Sequence, residues 1–289
     1  MSASTTAPSP PPKSRSSTPS AANHCKGLTE KGKRKKKKVR PLQFVKGRTF
    51  FFFPHFYFLL YFYGMNRKIT FAPGEFYHLY NRGTDKRDIF ISERDYRRFT
   101  VLLYLCNNKD PVNMDIELKK GRTFSELLLN KTDEHFVDIG AYCLMPNHFH
   151  LLVRERDDCG ITNFMRKLST AYSMYFNKKN DRSGTLFEGK FKAKHANDDN
   201  YLKYLFSYIH LNPIKMIDPH WKENGIADRT KAKNYLKTYH YSSYLDYIGS
   251  DRAEQTILKK SSFPDYFRTA IDFENFVDEL LSYKNEVGS

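Results

Sequence analysis

His148 and His150 stand two residues apart in the strand-like run YCLMPNHFHLLVR, residues 142–154. Side chains alternate across a strand, so both imidazoles point to one face while Phe149, Leu151 and Val153 take the other. Two neutral imidazoles side by side can ligate a divalent metal, hold a phosphate, or simply hydrogen-bond to neighbours. A metal needs a further ligand, and the helical pattern that stops at Pro213 offers one. Tyr208 and Asn212 are four apart, which puts them one turn from each other on one helix face. If that face looks onto the histidine side of the sheet, Asn212 can complete a His/His/Asn set with Tyr208 beside it. Tyrosine is a covalent nucleophile, and an adjacent metal both activates it and neutralises a phosphate under attack. Tyr201 and Tyr204 lie near the same stripe, which suits a packed helix face equally well.

The elements around these residues follow from periodicity. EFYHLYNRG (75–83) reads as a first strand ending in a turn at Gly83. Ser92 opens a helix, with Asp95 three residues on as an imperfect capping box. Residues 107–135 look like an insertion containing a helical piece. FVDIGAYCLM (136–145) and HFHLLVRE form a second and third strand, joined by a turn at Pro146-Asn147 into an antiparallel hairpin. Residues 161–177 carry apolar side chains at 3, 4 and 7 spacing, with Asn163, Arg166, Lys167 and Thr170 facing out. A fourth strand, 185–196, alternates Lys190, Lys192 and Lys194 onto one face. Asn197 then caps a helix whose first turn holds Asp198 and Asp199, suited to the N-terminal dipole. The order β-α-β-β-α-β-α predicts an α+β fold: a ferredoxin-like split β-α-β antiparallel sheet with helices packed on one face, plus a helical C-terminal extension.

Charge alone does not assign a partner. The net charge is +16, but residues 1–64 hold 13 Lys/Arg against a single acid, Glu30. That leaves 35 basic and 31 acidic side chains for 65–289, a net charge of only +4. The first segment is Ser/Thr/Pro-rich, then KGKRKKKKVR, then the apolar run 50–63. That run has 14 residues with Pro54 and His55 inside it, where a spanning helix needs about 20. No membrane association is expected, and Met65 suits a natural start. The four cysteines show no metal or disulfide spacing, and Cys106 and Cys143 look like small buried hydrophobes. A cytoplasmic location fits.

The stretches FYHLYNRGTDKRDIF, MPNHFHLLV, GTLFEGKFKA and YLKYLFSYIHLNPIKM, taken in order, resemble the HUH-type single-tyrosine transposases of the insertion-sequence-200 type. The resemblance spans about residues 70–250 and is nearest to the REP-associated tyrosine transposase branch. It implies that His148 and His150 bind the metal, that Asn212 is the helix-borne ligand, and that Tyr208 is catalytic. It further implies Mg2+- or Mn2+-dependent cleavage and rejoining of single-stranded DNA, hairpin-containing, through a 5′-phosphotyrosine. DNA contacts are expected from Arg82, Lys86, Arg87, Arg166, Lys167, Lys190, Lys192 and Lys194, as backbone contacts that give affinity and salt dependence. The segments then read as a basic low-complexity arm (1–64), a catalytic domain (65–250) with the 107–135 insertion, and a helical extension (251–289). A monomer and a homodimer both fit. Other readings are a catalytically silent nucleic-acid binder, a replication or relaxase-type nickase, and a protein anchored through 50–63.

Overall fold

The computed structural model describes residues 69–110, 113–129 and 134–282. The basic arm, the apolar run 50–63 and the Met65 start lie outside the described residues. The strands are β1 (Phe76–Arg82), β2 (Val137–Met145), β3 (His148–Glu155) and β4 (Lys192–His195). The helices are α1 (Glu93–Leu105), α2 (Met114–Lys119), α3 (Phe124–Leu128), α4 (Gly160–Lys179), α5 (Asp199–Leu211), α6 (Trp221–Asn224), α7 (Arg229–Thr238), α8 (Tyr244–Tyr247) and α9 (Ala270–Ser282).

The sheet order is β2-β3-β1-β4, with every neighbouring pair antiparallel. β3 thus splits the β1-α1-β2 unit, and β1 splits β3-α4-β4, as the element order implied. β2 and β3 form the expected hairpin. Helices, however, cover both faces rather than one. Tyr77, Leu79, Phe149, Leu151 and Val153 pack with Phe99 and Leu103 of α1 and with Ile161, Phe164 and Leu168 of α4. On the other face Ala141, Cys143 and Leu152 pack with Leu202, Leu205, Phe206 and Ile209 of α5 and with α7 and α9. The second layer forms because the sheet's reverse face is also apolar along β2, so it has to be buried.

Other boundaries shift for local reasons. β4 is short, and Lys190 stands outside it, next to Gly189 with φ +71. Asp198, not Asn197, caps α5 by accepting from the Tyr201 N–H at 2.9 Å. The Ser92/Asp95 capping box of α1 forms as expected. Asp95 accepts from the N–H groups of Ile91 and Ser92. It also accepts from the Tyr175 hydroxyl at 2.7 Å and Lys179 Nζ at 2.6 Å, tying α1 to α4. Residues 107–135 contribute α2 and α3, whose Met114, Leu127 and Leu128 join the first core. Of residues 251–282, Ile257 joins the first core, while Phe263, Phe273, Val277 and Leu281 join the second. Phe263 closes directly over Gly140, where an added Cβ would lie 2.6 Å from its ring.

Glu155, at the end of β3, is fully buried and accepts from the Ile161 N–H at the start of α4, at 2.7 Å. Burial raises its carboxyl from 4.5 to about 7, against the pull of the Ile161 and Gly160 N–H groups. Folding therefore takes up a proton between these values, and this group's contribution to stability is lost as pH rises from about 4.5 to 7. Glu155→Gln should flatten that part of the stability–pH curve, measured by denaturant unfolding at stepped pH. An unchanged slope would contradict the assignment.

Candidate active site

Register places the chemistry. Opposite one another across β1 and β3 stand Arg82 and His148, then Tyr80 and His150. Across β1 and β4 stand Tyr80 and Lys192, then His78 and Lys194. Cross-strand partners share a face, so one face carries His78, Tyr80, His148, His150, Lys192 and Lys194. The alternation expected for His148 and His150 holds.

α5 crosses this face and lays Tyr208 on it. The Tyr208 ring centroid is 5.6 Å from that of His150 and 5.7 Å from that of His78. His148 and His150 stand edge to face at 5.0 Å. Asn212 follows one turn later, buried, with Nδ2 donating to the Tyr208 carbonyl at 2.7 Å. That bond fixes the amide, and its Oδ1 accepts from Lys222 Nζ at 3.5 Å. Lys222 also lies 4.4 Å over the Tyr208 ring.

Both histidines of the pair have one ring nitrogen engaged. His148 Nδ1 is 2.6 Å from Asn147 Oδ1, and Asn147 Nδ2 donates in turn to the Lys86 carbonyl. An amide oxygen only accepts, so His148 Nδ1 carries the proton and Nε2 keeps its lone pair. His150 Nδ1 is 2.9 Å from His78 Nε2, so one of these two rings donates to the other. Burial, reinforced by the charges of Lys215 and Lys222, lowers His148 to about 4. Burial, then the neighbouring histidines and Lys222, hold His150 well below its usual value. Both are thus neutral at pH 7, the form that ligates a metal. Among the described residues no three His, Cys, Asp or Glu side chains converge as a metal centre. A metal here would rest on two imidazoles with the Asn212 amide as the third donor, a set that suits an ion with open positions for substrate oxygens. Burial raises the Tyr208 hydroxyl far above the usual tyrosine value, so it is protonated at neutral pH.

The family model described as "Transposase IS200 like" matches residues 77–212. Residues 77–212 are thus similar to the IS200-like transposases. The match begins in β1 and ends at Asn212, so it takes in both histidines, Tyr208 and all four strands of the sheet. One solved structure found to be similar, titled "Structure of the REP associates tyrosine transposase bound to a REP hairpin", is 13% identical. It covers 64% of this chain and 85% of its own, with a TM-score of 0.38. No curated protein matches the chain.

The basic candidates divide. Lys192 and Lys194 share the histidine face, and burial lowers the Lys194 ammonium to about 8 as it lies 4.8 Å over the Tyr201 ring. Arg82 stands opposite His148 at the end of β1, and Lys86 and Arg87 lie in the turn that follows. Arg82 pairs with the Glu188 carboxylate, and Arg87 Nε donates to the Thr84 carbonyl. Arg166 and Lys167 sit on α4, across the sheet from Tyr208. Lys167 is used there to bond the Asn108 carbonyl and to cover the Phe136 ring. Both residues face outward on α4, as their spacing implies, on the side of the sheet opposite the histidine face. Sequence reasoning missed His78, Tyr80, Asn147 and Lys222. The alternation in FYHLYNR puts His78 and Tyr80 on one face, but only strand pairing shows that His150 shares it. Lys222 carries no local signal. Among the described residues no helix is long and apolar enough to cross a membrane.

Proposed function

We propose that residues 77–212 form an IS200-like transposase domain that cleaves and rejoins single-stranded DNA through a covalent 5′-phosphotyrosine on Tyr208. What supports this most is that His148 and His150 each have Nδ1 engaged by a neighbour, with Nε2 as the remaining ring nitrogen, beside Tyr208. A Mg2+ or Mn2+ ion held by those nitrogens with Asn212 would supply Lewis-acid polarisation of the scissile phosphate. Lys192 and Lys194, with Arg82 and Lys86, hold the DNA backbone over the face. Tyr208 Oη attacks the phosphorus and gives up its proton to solvent. The P–O3′ bond breaks, and the departing 3′-oxygen takes a proton. Attack by a 3′-hydroxyl on the phosphotyrosine reverses each change and rejoins the strand, so the bond energy is kept and no nucleotide cofactor is required. Desolvation raises the Tyr208 phenol well above its usual value, so in this reading a bound cation would lower the cost of forming the phenolate at neutral pH.

The test uses the full chain with Mn2+ and labelled single-stranded hairpins from the flanks of its own gene. Cleavage should require the metal, stop with EDTA, and fall by about 100-fold or more in His148→Ala and in His150→Ala. Retarded but uncut DNA under all conditions would favour the silent binder instead.

A further inference from the structure

His78 lies on β1, seventy residues before the histidine pair, and matches nothing in the chemistry assigned to Tyr208, His148, His150 and Asn212. It is buried, and its Nε2 is 2.9 Å from Nδ1 of His150, with the two rings stacked at 5.0 Å. Two neutral imidazoles at that distance share one proton, so one ring donates and the other accepts. The direction decides whether His150 can bind a metal. If His150 Nδ1 donates, its Nε2 lone pair is available; if His78 donates, His150 carries its proton on Nε2 and cannot ligate through it.

We infer that His78 is a positioning residue that accepts the Nδ1 proton of His150, fixing both its tautomer and its ring plane for metal binding. The inference rests on the reading of His148 and His150 as metal ligands. The neighbours support it. His78 is wedged between Tyr80 at 5.1 Å and Tyr208 at 5.7 Å, so its own ring has little freedom to turn. His148 meets the same requirement differently, through Asn147 Oδ1. The pair is thus oriented from two sides, by the amide of the preceding turn residue and by an imidazole from the adjacent strand. Outer partners of this kind are worth about 10–100-fold in metal affinity.

The inference is tested in the full-length protein by Mn2+ titration, reading free Mn2+ by electron paramagnetic resonance, with the His150 tautomer read by 15N NMR. His78→Phe keeps an aromatic ring between Tyr80 and Tyr208 and removes the acceptor. It should weaken Mn2+ binding by about 10–100-fold. His78→Gln, whose amide oxygen can accept the same proton, should recover much of that loss. In the wild-type protein without metal, His150 should be the Nδ1–H tautomer. An Nε2–H tautomer, or Mn2+ affinity unchanged in His78→Phe, would overturn the inference; the tautomer decides even if the Phe variant fails to fold. His148→Ala serves as the control that separates the two claims. If wild type and His148→Ala bind Mn2+ alike, the metal reading fails, whereas a His148-dependent site indifferent to His78 sinks the positioning role alone.

Discussion

Tyr208→Phe should abolish strand cleavage, by about a thousandfold or more, while the folded protein keeps its stability and its Mn2+ affinity. The substitution removes one oxygen and leaves the ring. That ring packs between His78, His150 and Tyr204 and lies under the Lys222 ammonium. No described contact of the hydroxyl holds the fold, so the loss should fall on the chemical step alone. Tyr204, one turn earlier and part exposed, is the internal control. Tyr204→Phe should cleave at close to the wild-type rate, since the residue is one turn removed from the histidine pair. Comparable loss in the two variants, by single-turnover cleavage, would mean that the aromatic stripe is packing and the nucleophile lies elsewhere.

Arg252→Met should be the most damaging single change to stability. Asp246 is buried, and Arg252 meets its carboxylate with Nε and Nη2, both at 2.7 Å. The same guanidinium donates to the Tyr142 hydroxyl and to the carbonyls of His240 and Ser242. One side chain thus links β2 to the segment before α8. Burial raises the Asp246 carboxyl, and Arg252 opposes that shift. Without Arg252 a buried carboxylate loses its counter-charge, which costs about 3–5 kcal/mol. Replacing both partners by apolar side chains, Arg252→Met with Asp246→Leu, should recover most of the loss, because the desolvation cost is then gone as well. Equilibrium denaturation of the three proteins checks this. A double variant no more stable than Arg252→Met alone would contradict it.

The strand order was legible because each turn signal falls where a strand must end, as at Gly83 and Pro146-Asn147. The second helical layer was not, because the reverse face of β2 becomes apolar only through its register. Ile139 and Ala141 straddle a bulge at Gly140, which turns Ala141 and Cys143 toward α5 in a way that alternation does not anticipate. The site divides in the same manner. His148, His150, Tyr208 and Asn212 were readable because each pair sits within one element at a spacing that fixes its face. His78 and Lys222 reach the site from other elements, and nothing local records that. The fourth strand shows the reverse error: Lys190 continues the alternation of Lys192 and Lys194, but Gly189 turns the chain before it.

The central claim is the covalent bond to Tyr208, and locating that bond tests it most directly. The full chain is incubated with Mn2+ and a single-stranded hairpin substrate, the SDS-resistant product is digested with protease, and the nucleotide-bearing peptide is sequenced by mass spectrometry. The account predicts a 5′-linked nucleotide on the peptide containing Tyr208 and on none of the other 19 of the chain's 20 tyrosines. A nucleotide on any other residue, or cleaved DNA with no covalent protein, would contradict it.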